Sequence, residues 1–326
     1  MKRPPARQTK LPDMRIFLTG ANGYLGTLLA EQFDRIPEVE SITGIGLRPA
    51  RPNLPAKLRF QHLDIRTPQL EPAMAGHDVV VHTACVVLWP AKMTAAHRDS
   101  VNYDGTRRVA EAARRNGVKR FLHTSSMAAY DPIRGRGASN VTEDFPLGDG
   151  RSPYYYWNAK AEAERTLAGT FQGTGTLLTM LRPIYIIGPH NRAAVDNYRN
   201  DAVNLRGHDP RRQFIHEADV VSAFVLALQQ DLPGAFNVTP DDSLRMSEVW
   251  KIVGAKSVRT VPLPVAKLVT WVRWRCFGFR LHPCWIEDML VDFTGSNAKL
   301  KAAGWSPRYN SEQALRTAIV SALLWC

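Results

Sequence analysis

Two sets of residues in this 326-residue chain have types and spacing that could do chemistry. The first lies in Tyr154-Tyr155-Tyr156-Trp157-Asn158-Ala159-Lys160, where only Tyr156 has a lysine four positions on. Four residues is about one helical turn, so on a helix Tyr156 and Lys160 share a face. A phenol ionises near pH ~10 and moves protons poorly at neutrality, but a neighbouring ammonium favours the phenolate and is expected to lower that pKa. Tyr156 then becomes a general acid or base for a hydroxyl or carbonyl oxygen. The spacing is short and its residues common, and an aromatic cluster before a helix also serves as packing. Its weight comes from company: Thr124-Ser125-Ser126 closes an apolar run and offers a hydroxyl to the same reacting oxygen.

The second set is 14–26, MRIFLTGANGYLG, in which an apolar run of strand length meets Gly20, Gly23 and Gly26 at three-residue spacing. A helical apolar pattern (Leu25, Leu28, Leu29, Phe33) follows at once. Gly20 permits a tight turn, Gly23 lets backbone amides approach a pyrophosphate, and Gly26 lets the helix pack hard on the strand. Phosphates would then sit at the positive end of the helix. A glycine triplet alone is weak, but with a strand before it and a helix after it the segment predicts dinucleotide binding.

To bring the two sets together, strands must end along one edge. Further apolar runs of strand length occupy 41–47, 58–63, 79–84, 118–125 and 177–187, with helical patterns at 102–116 and 158–167. That alternation predicts an α/β, doubly wound parallel sheet of Rossmann type over 14–187, binding its ligand at the carboxyl ends of the strands. Past Gly188-Pro189 the chain turns loop-rich through Arg212, and a smaller C-terminal substrate-binding lobe is expected over 188–326. Segments within 213–238, read as strand, turn, helix and short strand, are candidates to return to the main sheet. Residues 1–13 read as a disordered basic tail without the apolar segment of a signal peptide.

Hydrophobic content of 44% and charged content of 22% are ordinary globular usage. The net charge of +12 is spread over scattered Lys and Arg with only short clusters such as Arg114-Arg115. Without a basic stripe and interleaved aromatics, a small anionic molecule is the expected partner and nucleic acid is not. Cys85, Cys276, Cys284 and Cys326 show neither CxxC pairing nor histidines at metal spacing, so reduced thiols of a cytoplasmic protein, without disulfide or metal, are expected. No window reaches the ~20 apolar residues of a membrane span. The basic, aromatic stretch 265–279 reads as a helix with its apolar side buried; peripheral contact with a membrane surface is the alternative.

In chain order these features resemble the extended short-chain dehydrogenase/reductase family, the NAD-dependent epimerase/dehydratase superfamily. The resemblance rests on TGANGYLG at 19–26, Asp64-Ile65, HTAC at 82–85, VNYDGT at 101–106 and TSSMAAY at 124–130. It continues through YWNAK at 156–160, LRPIYIIGP at 181–189, FIHEADVVSAF at 214–224 and AGWSP at 303–307. It implies Ser126, Tyr156 and Lys160 as the catalytic residues. It also implies a cofactor held by Gly20, Gly23, Tyr24, Leu25 and Gly26, with Asp64 and Ile65 bordering the adenine. Thr83, Ala84 and Cys85 would face phosphate and ribose, Asn102 the floor, Pro183 and Ile184 the nicotinamide, and Lys160 the ribose hydroxyls, with Thr124 also among the cofactor-binding residues.

Three departures bear on chemistry. The acidic residue expected about 20 residues past the glycine turn for the ribose of NAD is Gly46 here, with Arg48 two further on. The expectation is therefore NADP in preference to NAD, Arg48 pairing with a 2′-phosphate. Arg212 matches an arginine that nucleotide-sugar epimerases use against a diphosphate, but Tyr185 replaces their usual asparagine and Trp285-x-x-Asp288 their Arg-x-x-Asp. Ser126, Tyr185 and Arg212 are accordingly the candidate substrate residues. The apolar stretch 262–285 is either lobe core or an apolar substrate wall. The leading expectation is an NAD(P)-dependent oxidoreductase transferring a hydride between nicotinamide and a secondary alcohol or ketone carbon. The alternatives are a nucleotide-sugar epimerase or dehydratase with internal redox, and a non-catalytic NADP-binding sensor; a homodimer is compatible with each.

Overall fold

In a computed structural model of the chain, the described residues are 13–131, 137–200, 202–279 and 282–323. The expected tail, Asp13 apart, and Cys326 lie outside them. The central sheet begins with β1 (Met14–Thr19), β2 (Val39–Gly46), β3 (Leu58–His62), β4 (Val79–His82) and β5 (Arg120–Thr124). Leu177–Pro183 and then Gly234–Val238 extend it beyond β5, giving seven strands, all parallel, with β1 between β2 and β4. The strand order reverses at β1, so the crevice for a ligand opens above the carboxyl ends of β1 and β4.

Period-two alternation decides which side chain goes to which face. Ile16, Leu18, Val79, Val81 and Leu122 join the core under helix α1 (Tyr24–Asp34) and the Glu217–Gln229 helix. Phe17, Val80 and Phe121 point the other way, into the core beneath the Thr106–Arg115 and Tyr155–Phe171 helices. Strands buried on both faces must read as continuous apolar runs, as these do.

The Leu177–Pro183 strand does not run on to residue 187, as its composition suggests. Pro183 has no N–H to continue a ladder, and the Ile184 amide turns aside to the Val238 carbonyl at 3.2 Å. Tyr185–Ile187 then pairs in parallel with Phe214–His216 instead. Nor is the segment before Arg212 only loop: it holds the Arg192–Asn200 helix and the Val203–Leu205 strand. The expected helix over 102–116 begins as a wider π-turn at Ser100–Gly105. Farther on, the Leu263–Phe277 helix buries only Ala266 and Thr270, contrary to the expectation of a buried apolar side. Its packed side meets Trp89 and the Pro283–Leu290 turn, while Val265, Leu268, Val269, Trp271 and Phe277 stay exposed.

Among the described residues no helix is long and apolar enough to cross a membrane. Nor, among them, does any group of three or more His, Cys, Asp or Glu stand close enough to hold a metal. Cys85, Cys276 and Cys284 are free thiols.

Candidate active site

At the end of β1 the chain turns through Gly20, whose φ of +71° is left-handed and whose missing side chain matters twice. A Cβ there would lie 2.8 Å from Thr83 Oγ1 and 2.9 Å from the Ala84 amide nitrogen. One on Gly26 would run into the Gly20 carbonyl, so α1 reaches the strand only without it. The N-terminus of α1 is capped by Gly23, with no side-chain hydrogen bond and no acidic residue in its first turn. Its amides and the positive end of its dipole therefore face the crevice without a competing carboxylate, which suits a diphosphate.

The crevice is a cavity of about 680 Å³, within the range of small-molecule sites. It is bordered by Gly20, Gly23, Tyr24, Leu25 and Gly26 at the turn, and by Arg48, Asp64 and Ile65 past β2 and β3. Thr83, Ala84, Cys85, Thr124, Ser126, Tyr156, Lys160, Pro183, Ile184 and Tyr185 complete the sequence-derived set that lines it. Asn102 does not line it; its amide brackets Val86, donating to the Val86 carbonyl at 3.1 Å and accepting from the Val86 N–H at 2.8 Å. It shapes the wall through the backbone.

Arg212 is also outside the lining. It is 2% exposed, pairs with Asp288 at 3.6 Å, and donates to the backbone carbonyls of Arg211, Asp288 and Val291. The Tyr185 hydroxyl donates to the same Asp288 carboxylate. Both residues thus serve an internal cluster around Asp288. Sequence spacing could not show this, because the three positions are far apart in the chain.

Tyr156 stands in the first turn of the Tyr155–Phe171 helix and Lys160 one turn on, the lysine nitrogen 5.7 Å from the phenol ring centre. Lys160 is 4% exposed and donates to the Thr124 carbonyl at 2.6 Å. Ser126 follows β5 and caps the Met127–Tyr130 turn, its oxygen accepting from the Ala128 amide at 3.1 Å. Its hydroxyl also reaches the Pro183 carbonyl at 3.4 Å. Contrary to the expected lowering, burial pushes the Tyr156 phenol above its ordinary pKa; the Cys85 thiol adds to this and the hydrogen bond with Ser126 opposes it. Desolvation of the phenolate is the largest effect, and the Lys160 ammonium, 5.7 Å from the ring centre, does not offset it.

Beneath this trio a polar cluster ties the elements. Arg182 pairs with Glu164 through Nε at 2.8 Å and Nη2 at 2.5 Å, and Ser125 donates to the same carboxylate. Arg182 also donates to the Tyr130 hydroxyl, which in turn donates to Asn237 at 2.8 Å. At the adenine-facing border, hydrogen bonds from Arg66 hold the Asp64 carboxyl below its ordinary range. At the position expected to carry an acidic residue, Gly46, a Cβ would strike the Asn22 side-chain oxygen, so any side chain there requires Asn22 to move.

The far end of the cavity is apolar and aromatic, with Val86, Val87, Met93, Met127, Trp285 and Phe293. Trp285 lies 5.7 Å from Tyr156, ring to ring, and tilted by 31°. The sequence showed this stretch as apolar but not that a Trp285 ring would reach the phenol.

Residues 16–239 match the model of the NAD dependent epimerase/dehydratase family, and the chain belongs to that family. It is an enzyme of the extended short-chain dehydrogenase/reductase type. A 3-beta-hydroxysteroid dehydrogenase of Mycolicibacterium neoaurum is 25% identical over 92% of this chain and 89% of its own. An N-acetyl-alpha-D-glucosaminyl-diphospho-ditrans,octacis-undecaprenol 4-epimerase of Escherichia coli O157:H7 is 32% identical, over 56% of this chain and 52% of its own. Among solved structures, MoeE5 in complex with UDP-glucuronic acid and NAD superposes with a TM-score of 0.75 over 96% of this chain and 100% of its own, at 19% identity. At that identity the likeness concerns the fold.

Proposed function

We propose that this enzyme transfers a hydride between a nicotinamide cofactor and the carbinol or carbonyl carbon of an apolar secondary alcohol or ketone. The observation that carries the substrate class is the far end of the cavity. Its wall is aliphatic and aromatic, and Arg212, the cation that would meet a nucleotide diphosphate, is committed to Asp288. The steroid-acting relative agrees with an apolar substrate, and it aligns over nearly the whole chain.

The residues fit the cofactor: a glycine cradle that any Cβ would fill, a helix end whose glycine cap makes no side-chain hydrogen bond, and a cavity continuous from there to Tyr156. Bound nicotinamide would supply the hydride or accept it. Tyr156, half-buried and protonated at neutral pH, would give its proton to the carbonyl oxygen in reduction and take it back in oxidation. Ser126 would hold that oxygen by hydrogen bond. Lys160 would orient the ribose and stabilise the phenolate once the proton has left.

For the cofactor we propose NADP(H). Gly46 leaves no carboxylate to repel a 2′-phosphate, Asp64 is held by Arg66, and the exposed Arg48 borders the cavity at that edge. NADPH should bind more tightly than NADH, and Arg48→Ala should erase most of the difference; equal binding in the native enzyme would remove the assignment.

The test of the reaction is absorbance at about 340 nm with a panel of apolar ketones and nucleotide sugars. Stoichiometric NADPH loss with apolar ketones is expected. Conversion of a nucleotide sugar without net absorbance change would favour an internally redox-neutral epimerase instead. Cofactor binding with no turnover in either assay, unaltered in Tyr156→Phe, would favour a sensor.

A further inference from the structure

The Leu263–Phe277 helix carries an apolar face that the fold does not cover. Val265, Leu268, Val269, Trp271 and Phe277 are between 45% and 78% exposed, nearly half of the exposed large hydrophobics among the described residues. Val265, Leu268, Val269 and Val272 fall at helical spacing on one stripe, with Trp271 and Arg275 along its edge. The opposite side is the docked one: Lys267 pairs with Glu287, and the Trp274 indole donates to the Trp89 carbonyl at 2.6 Å. A contiguous apolar patch of this kind on a water-facing helix marks a contact surface.

The charge around it has one sign. From 251 to 279 the chain has six cations (Lys251, Lys256, Arg259, Lys267, Arg273 and Arg275) and no Asp or Glu. Half of the +12 excess therefore falls in this stretch, a concentration hidden when only adjacent basic residues are counted. Lys267 is paired with Glu287, and Arg273 is stacked 4.2 Å over the Phe279 ring. Lys251, Lys256, Arg259 and Arg275 are exposed. Exposed apolar side chains bordered by exposed cations match an anionic lipid surface in both respects.

The face also adjoins the cavity. Trp89, which packs on Trp274 at 5.6 Å between ring centres, follows Val87 and Leu88, 40% and 43% exposed, and Val87 lines the cavity. The Lys267–Glu287 pair joins the helix to the Pro283–Leu290 turn, whose Trp285 forms the cavity's apolar end.

We propose that the Leu263–Phe277 helix is a docking surface for an anionic lipid bilayer, lying in the interfacial plane with its Val265-Leu268-Val269 stripe toward the acyl chains. Docked in this way, the apolar mouth of the cavity opens beside the membrane, where an apolar alcohol would partition. That last step rests on the substrate class proposed above; the docking itself does not.

The test is co-sedimentation of the full chain, without substrate, with vesicles of phosphatidylcholine alone or with roughly one-third phosphatidylglycerol. At about 20 mM salt, where screening is weak, the chain should pellet with the anionic vesicles and about tenfold less with the neutral ones. Leu268→Ser with Val269→Ser should lower anionic-vesicle binding about tenfold or more, and Arg275→Glu should lower it and flatten its salt dependence. Both variants should keep native NADPH affinity and thermal midpoint, since neither site touches the cavity. Absence of pelleting at low salt, or pelleting unchanged in the double variant, overturns the proposal. So does a concentration-dependent dimer that the double variant abolishes without vesicle binding, which would assign the face to a second copy. Failure of apolar ketones as substrates would leave the vesicle result standing and so is separately visible.

Discussion

Tyr156 occupies surroundings that oppose its own ionisation, and this sets the direction in which it is useful. Desolvation keeps the phenol protonated across the neutral range, so in the reaction proposed above it would donate to a developing alkoxide. The sequence showed which tyrosine has a lysine one turn away, because helical spacing is local. It could not show the balance of burial against charge, which depends on Trp285 and Cys85 arriving from distant parts of the chain. The same trade governs two buried histidines. His82, bonded to Thr19 and Thr106, is pushed by burial to a pKa of about 3, and His123, stacked on it at 5.4 Å, falls well below the ordinary value for the same reason. Unfolded histidine protonates near ~6.5, so below that pH the unfolded chain binds more protons. The stability these groups hold is complete above ~6.5 and lost as the pH falls toward the folded values. Neither ring nitrogen of His123 has a hydrogen-bond partner among the described residues. His123→Phe should therefore reduce the loss of unfolding free energy on acidification by about 1.4 kcal/mol per pH unit below ~6.5. Urea titrations at several pH values check this, and an unchanged slope would contradict it.

At the scale of elements, the trio is held in place by what joins the helix of Tyr156 to the sheet. Glu164 lies on that helix and is 1% exposed, and its partner Arg182 lies on the Leu177–Pro183 strand. Removing one member of a buried pair leaves an uncompensated charge, at a cost of about 3–5 kcal/mol. Glu164→Gln should destabilise the enzyme by about that amount, with Tyr156 activity lost in parallel; chemical denaturation measures it, and a change under about 1 kcal/mol would show the pair to be dispensable. The strands themselves were legible, since a parallel sheet leaves apolar runs such as Val79-Val80-Val81 that no other element explains. The break after Pro183 was written in the proline but masked by the apolar Ile184, Ile186 and Ile187 around it. The Arg192–Asn200 helix was not legible, because its polar composition reads as loop. The Leu263–Phe277 helix was recognised, but periodicity reports that a helix has an apolar face and not whether anything packs on it.

Over the whole molecule, the glycine turn and the C-terminal half meet through one carboxylate. Tyr24, in the first turn of α1, donates to Glu217 at 2.5 Å, and the same Glu217 holds His190 at 2.6 Å. The Gly234–Val238 strand belongs to the main sheet although it follows the segments assigned to the lobe, so the chain crosses between the two regions more than once. The cavity inherits that arrangement: its turn end is built by the first strands, while Trp285 and Phe293 from the last third join Val86, Val87, Met93 and Met127 at its apolar end. The motif order identified the first part. The second depended on Asp288 engaging Arg212, which no spacing reveals. The measurement that bears most directly on the proposed reaction uses NADPH carrying deuterium at both hydrogen positions of nicotinamide C4, with an apolar ketone. The account predicts one deuterium on the carbinol carbon of the alcohol, in proportion to cofactor oxidised, and loss of about 100-fold or more in rate for Tyr156→Phe. Alcohol formed without the label, or the native rate retained in Tyr156→Phe, would contradict it.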